Sequence, residues 1–319
     1  MTFKTKAVTL ISILAALIAL YIIGNVFSRE QRRERKESLP LVIFEKDSAA
    51  SIVITGSEKI NLLKSGEDWK IIIDEAEYPA DSQKISAFLT KLLELKEYRF
   101  VTDDPESYER FNLGDNGNKI EIFDSKKEKL AAVFIGKSAA QSSGDYVRKE
   151  GFDTVFMTDE SINFYVQRGT EYWSLLRIFN EGEITKENVS KIEINKDMVS
   201  RFVIYKHFEE EKSAWKIESG TNAVNEDKIF TLINTLKNIQ GERFINKSSI
   251  YDDQISEGYS TLSVLTDQNK TYSLKAGILE DDKYYLQCSH IPFVYEISEW
   301  QYTRLFPDIE ELEIIKEEN

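Results

Sequence analysis

Two stretches decide how this chain is built: Lys84–Val101, KISAFLTKLLELKEYRFV, and Lys228–Ile245, KIFTLINTLKNIQGERFI. They align without a gap. In each, apolar residues recur at three- and four-residue spacing (Ile85, Phe88, Leu89, Leu92, Leu95 in the first), the period of an amphipathic helix. Each ends on Arg-Phe, Arg99-Phe100 and Arg243-Phe244. A basic residue just past a helix end complements the helix dipole. Asp81 and Asn225 stand where N-caps are expected, and the first helix is expected over Asp81–Lys96.

The self-similarity extends outward on both sides. Ser51–Ile54 matches Lys191–Ile194, and Asp68–Ile71 matches Ala214–Ile217. Downstream, Gly114 matches Gly258, Ile120–Phe123 matches Leu262–Leu265, and Gly136 matches Gly277. Tyr146-Val147-Arg148 matches Tyr285-Leu286-Gln287, and Val155-Phe156 matches Val294-Tyr295. The order never breaks, and the spacing stays about 140–146 residues. A period that long makes each copy a small domain and excludes a short-repeat solenoid. Ahead of each helix, β-branched and aromatic runs predict strands: Ser51–Thr55, Lys59–Lys64 and Trp69–Ile73, then Lys191–Asn195, Arg201–Phe208 and Trp215–Glu218. Further strands follow each helix, separated by turn-rich pieces such as Asp115–Asn118 and Asp267–Asn269. The expected fold class is therefore α+β: an N-terminal transmembrane helix, then two tandem repeats, each a mainly antiparallel sheet with one covering helix. The expected boundaries are 1–37 anchor and charged collar, 38–168 first repeat, 169–184 helical connector, 185–306 second repeat and 307–319 acidic tail.

The anchor is Ala7–Phe27, which carries no charged side chain. A helix of that length matches a bilayer core of about 30 Å. It exceeds the apolar run of a cleavable signal, so a retained single-pass span is expected, with membrane lipid as its surroundings. The 319 residues hold 41 Lys+Arg against 55 Asp+Glu, a net charge of −14. Seven basic and three acidic residues fall before residue 38, so the remaining body carries −18. Such an acidic body argues against nucleic acid as a partner. Counting Lys and Arg around the span gives more after it than before, which by that rule alone places the body in the cytoplasm.

Chemistry is sparse. One Cys and two His exclude a multi-cysteine or histidine-rich metal centre. Phosphate-binding glycine loops, nucleophile elbows and HExxH are missing from the sequence. The pairs Asp103-Asp104, Asp252-Asp253 and Asp281-Asp282 lack the alternating ligands of a calcium loop and read as solvated turns. Neither cofactor nor metal nor catalytic residue is expected. Four residues stand out as contacts for a ligand or partner. Tyr146 and Arg148 share a strand face and together suit an anion, with a carboxylate neighbour as the competing partner for Arg148. Trp69 and Trp215 occupy equivalent strand positions and either pack as core or stack on sugars.

The segments Ile52–Thr55 (IVIT), Leu63–Ile71 (LKSGEDWKI), Pro79-Ala80-Asp81, Tyr108–Gly114 (YERFNLG), Phe134–Lys137 (FIGK) and Tyr146-Val147-Arg148 together resemble a bacterial family of membrane-anchored proteins of unknown function. Members of that family are often encoded beside gliding-motility-type ABC transporter components. The resemblance implies an extracytoplasmic body held at the cytoplasmic membrane, with an ABC transporter membrane subunit as partner. It brings no catalytic residues. The leading expectation is a non-enzymatic accessory or binding protein of an ABC-type transport system. A cell-envelope polymer-binding protein using Trp69 and Trp215 is the alternative, and an envelope hydrolase the remote one.

Overall fold

The computed structural model describes residue 21 and residues 39–314, apart from 141–142, 210–211, 219–222, 247–257 and 281. Apart from Tyr21, the expected anchor Ala7–Phe27 lies outside the described residues, as do the collar after it, Asp252-Asp253 and Asp281. Among the described residues, no helix is long and apolar enough to cross a membrane. The strands are β1 (Ser51–Thr55), β2 (Lys59–Ser65), β3 (Asp68–Ile73), β4 (Ala76–Pro79), β5 (Glu97–Thr102), β6 (Asn118–Phe123), β7 (Lys129–Ser138), β8 (Asp145–Lys149), β9 (Val155–Thr158), β10 (Val189–Lys196), β11 (Ser200–Glu209), β12 (Lys212–Ile217), β13 (Arg243–Ile245), β14 (Tyr259–Thr266), β15 (Thr271–Glu280), β16 (Lys283–Cys288) and β17 (Ile291–Ser298). The longer helices are α1 (Ser82–Glu94), α2 (Glu226–Asn238) and α3 (Glu299–Leu305).

The chain forms two compact units. One holds the described residues up to Glu67 together with Ser82–Gly169; the other holds Asp68–Asp81 and the chain from Thr170 onward. Each is built on an antiparallel sheet, and the strand orders are the same. In the first unit the order is β2-β1-β6-β7-β8-β9-β5, and in the second β11-β10-β14-β15-β16-β17-β13, with β12 outside β11. The pairings repeat residue for residue. Ile54 faces Ile120 as Ile194 faces Leu262, and Phe100 faces Phe156 as Phe244 faces Tyr295. Two sheets of one topology are what the internal repeat requires.

Alternation along the strands builds the core. On β1, Ile52 and Ile54 are buried between more exposed neighbours, and β14 alternates over all eight residues. The buried stripe of α1 is Ile85, Phe88, Leu89 and Leu92; that of α2 is Ile229, Leu232, Ile233 and Leu236. Burying each such side chain contributes about 1.5–3 kcal/mol. Asn225 caps α2, its side chain accepting from the Lys228 amide at 3.3 Å. In the second unit α2 runs between the two edge strands, β12 and β13, so it has to cross the sheet. Gly277 on β15 is needed for close approach: a Cβ there would lie 2.7 Å from the Tyr285 ring, which is fully buried.

Two features differ from expectation, and a third adds to it. The β3–β4 hairpin of the first copy falls in the second unit, because Tyr78 stacks on Phe244 at 4.6 Å and Pro79 O accepts from the Leu175 amide. The connector is helical only over Thr170–Trp173. Beyond it the backbone bonds outward, Ser174 bridging to Ala80 and Arg177 to Gln240, so a helical ladder cannot continue. The acidic tail is described as far as Ile314. Leu312 is buried, its carbonyl accepts from the Asn225 amide, and the Ile314 amide donates to Ala223 O.

Candidate functional site: an unpaired arginine between two rings

On β8, Tyr146 and Arg148 point to one face of the sheet and Val147, fully buried, to the other. The register sets Arg148 beside Phe134 of β7 and Val155 of β9. Residues 108–113 pass over this face, placing Tyr108, Phe111 and Leu113 in one apolar cluster with Phe134, Val155 and Tyr146. The guanidinium carbon of Arg148 lies 4.4 Å from the Tyr108 ring centroid and 4.1 Å from that of Phe134. Arg148 is 8% exposed. Of its N–H groups, one on Nη2 donates to Leu113 O at 3.2 Å, while the buried Nε finds no acceptor. The Tyr146 ring rests 4.6 Å from Phe111.

The neighbouring cations behave differently. On the same face Lys119 and Lys129 share Glu121 and Glu150, with distances from 2.5 to 3.0 Å. Hydrogen bonds from these two lysines hold the Glu150 carboxyl below the usual range. Lys149, adjacent to Arg148, pairs with Glu97. Tyr108 donates its hydroxyl to Asp153 O at 2.9 Å, and burial, followed by the Asp153 charge, raises its pKa. Thus, in a strongly acidic protein, Arg148 has no carboxylate partner among the described residues. Aromatic faces offset part of the cost of burying a guanidinium, but they do not saturate its donors. A guanidinium flanked by apolar rings, with N–H groups left unsatisfied, is chemically suited to a carboxylate or phosphate.

The strand that presents Arg148 is held by Asp145, which is fully buried. Its carboxylate accepts from Ser138 Oγ (2.7 Å), Ser161 Oγ (2.8 Å), Ile162 N (2.7 Å), Asn163 N (2.9 Å) and Asn163 Nδ2 (3.0 Å). Asn163 Nδ2 also donates to Gly136 O. This network locks β8 against the 161–163 turn, directly beside Tyr146 and three residues from Arg148. No sequence motif singles out Asp145, and only its set of partners reveals its role.

Trp69 and Trp215 are 7% and 6% exposed, so neither ring offers a free face for sugar stacking. Both are packed within their surroundings, in keeping with the core reading of the repeat. Trp215 lines a cleft of about 740 Å³ with Lys206, whose ammonium lies 5.4 Å from the ring centroid. Lys206 donates to the carbonyls of Lys186 and Glu187, and burial lowers its pKa. In the second copy Gln287 replaces Arg148, and the cross-strand position of Phe134 is taken by Lys275, 3.8 Å from the Tyr259 ring centroid.

The fold brings Cys288 and His290 together, with Sγ 3.1 Å from Nδ1. That is the spacing of a nucleophile and its base. Burial pushes the thiol up to about 12, however, and His290 Nε2 is engaged by Ile178 O while its ring stacks on Phe179. A thiol so buried does not populate the thiolate. Among the described residues, no group of three His, Cys, Asp or Glu side chains could hold a metal ion.

A family model described as a domain of unknown function, DUF4340, matches residues 69–257. No curated protein and no solved structure matches. The matched span covers more than half of the chain and takes in Tyr146, Arg148 and Asp145 as well as β10 to β13; the chain belongs to the DUF4340 family.

Proposed function

We propose that this protein is a non-enzymatic, membrane-anchored accessory of an ABC-type transport system, of the gliding or export kind, whose body takes an anionic group of its partner at Arg148. Ala7–Phe27 would anchor it as a single pass in the cytoplasmic membrane, with the body outside the cytoplasm. The observation that carries the binding role is Arg148, buried between Tyr108 and Phe134 without a counter-ion while Lys119, Lys129 and Lys149 beside it are all paired. A buried charge without a counter-ion costs stability, and a bound anion would offset that cost. The inert setting of Cys288 supports a binding role over a reaction. The transporter as partner rests on the resemblance of the sequence.

Affinity capture of the full chain from detergent-solubilised membranes tests this reading. The expected result is recovery of a transporter membrane subunit with the wild type and at least tenfold less with Arg148→Gln. Capture that is independent of Arg148 would contradict the assigned site, and recovery of no transporter subunit would contradict the assigned partner.

A further inference from the structure

We infer that a groove on the second unit, between α2 and α3 and centred on Trp300, is a carbohydrate-binding subsite. This inference stands apart from the Arg148 slot. Trp300 is 65% exposed, in contrast to the buried indoles Trp69 and Trp215. It lines a groove of about 290 Å³ with Asn234, Asn238 and Arg304, and a second hollow of about 230 Å³ shares Thr231, Thr235 and Arg304 with the first. The combined space is in the range of small-ligand clefts.

The indole is rigidly presented. It is the second residue of α3, whose start is fixed by a capping box. Ser298 N donates to Gln301 Oε1 at 3.0 Å, and Gln301 Nε2 donates to Gln240 O at 2.8 Å. The Arg304 guanidinium, one turn later, sits 4.5 Å from the indole centroid. Stacking is its only interaction with described residues, so its N–H fork is open. The Asn234 amide is likewise without a partner among them. Thr231, Thr235 and Asn238 are fixed by bonds to helix carbonyls, yet their oxygens can still accept.

The ligand class follows from this lining. A pyranose has an apolar C–H face that suits an exposed indole and a rim of hydroxyls that both donate and accept. The groove supplies one ring, a donor fork, amides and hydroxyls. A protein partner at such a spot would call for more apolar area than one indole, since interface cores are apolar. A sugar chain of the cell envelope fits the proposed location.

Isothermal titration of the full-length protein in detergent with N,N′,N″-triacetylchitotriose, maltotriose and a triuronate tests the inference. At least one trisaccharide is expected to bind the wild type, with Trp300→Ala and Asn234→Ala each weakening it at least tenfold and Arg148→Gln leaving it unchanged. Both Trp300 and Asn234 are exposed, so each variant should melt like the wild type. Failure of all three sugars to bind, or equal binding by Trp300→Ala, would overturn it. So would inert sugars combined with a protein captured through Trp300.

Discussion

Asp145→Ala should lower the unfolding free energy by about 4 kcal/mol, seen as a fall in urea midpoint at pH 7. The estimate comes from the donors left behind, since each buried donor without an acceptor costs about 1–3 kcal/mol. Five donated bonds converge on this fully buried carboxylate. The two serine hydroxyls can turn to other acceptors. The Ile162 amide cannot, because the backbone fixes its direction, and the Asn163 amide is left with only a long contact to Ser161 Oγ at 3.3 Å. Asp145→Asn should cost about half as much, because it keeps the shape and one acceptor oxygen. Ligand binding at Arg148 should be lost with the alanine variant even at temperatures where it stays folded, since β8 then loses its tie to the 161–163 turn. A loss below about 1 kcal/mol would mean that the network is not what holds β8.

Glu296 governs the second large effect, which depends on pH. Its carboxylate is 3% exposed and accepts from Arg243 Nε (2.8 Å) and Nη2 (2.6 Å) and from Lys283 Nζ (2.7 Å), linking edge strand β13 and strand β16 to β17. Burial by itself would raise its pKa. The hydrogen bonds from Lys283 and Arg243 outweigh that and hold it below the ordinary 4.5. A folded-state pKa below the unfolded one stabilises the fold above the unfolded value. That contribution fades as pH falls through the folded value. Glu296→Gln should therefore cost about 2–3 kcal/mol at pH 7, the worth of hydrogen bonds to charged groups. The gap between variant and wild type should stay flat from about pH 6 to 8 and close below about pH 4.5. Urea midpoints across that range measure it, and a gap that widened in acid would contradict the pairing.

The local periods of this chain are legible from sequence alone. Ile85, Phe88, Leu89 and Leu92 spell out a helix, and Ser51–Thr55 appears as a strand with the expected bounds. Because the copies match in sequence, equivalent residues face equivalent partners in the two sheets, Ile54 with Ile120 and Ile194 with Leu262. What escaped depends on long-range or unusual backbone. The β3–β4 hairpin turns through Asp74 and Glu75, both at positive φ, where Asn-Gly or Asp-Gly is the recognisable signal. The connector after Trp173 bonds to strands remote in sequence, which no local propensity reports.

The site was legible only in part. Tyr146 and Arg148 could be placed on one strand face, but whether Arg148 is paired depends on where the carboxylates go. Glu150, two residues along on the same face, is the natural candidate, and the fold assigns it to Lys119 and Lys129. Trp69 and Trp215 recur at equivalent positions in both copies. Recurrence marks the shared core, and both recurring indoles are buried, whereas Trp300 is exposed. The S-x-x-Q spacing of Ser298 and Gln301 was the available signal that Trp300 opens a helix.

The Arg148 slot is tested most directly by the thermal melting of the full-length protein against increasing phosphate and acetate at fixed ionic strength. A ligand that binds only the folded state stabilises it by about 2.7 kcal/mol at a hundred times its Kd. The wild type should therefore melt at progressively higher temperature as either anion replaces chloride, while Arg148→Gln should show no such rise from its own starting point. Equal anion responses in the two proteins would contradict the assignment of Arg148 as the binding group.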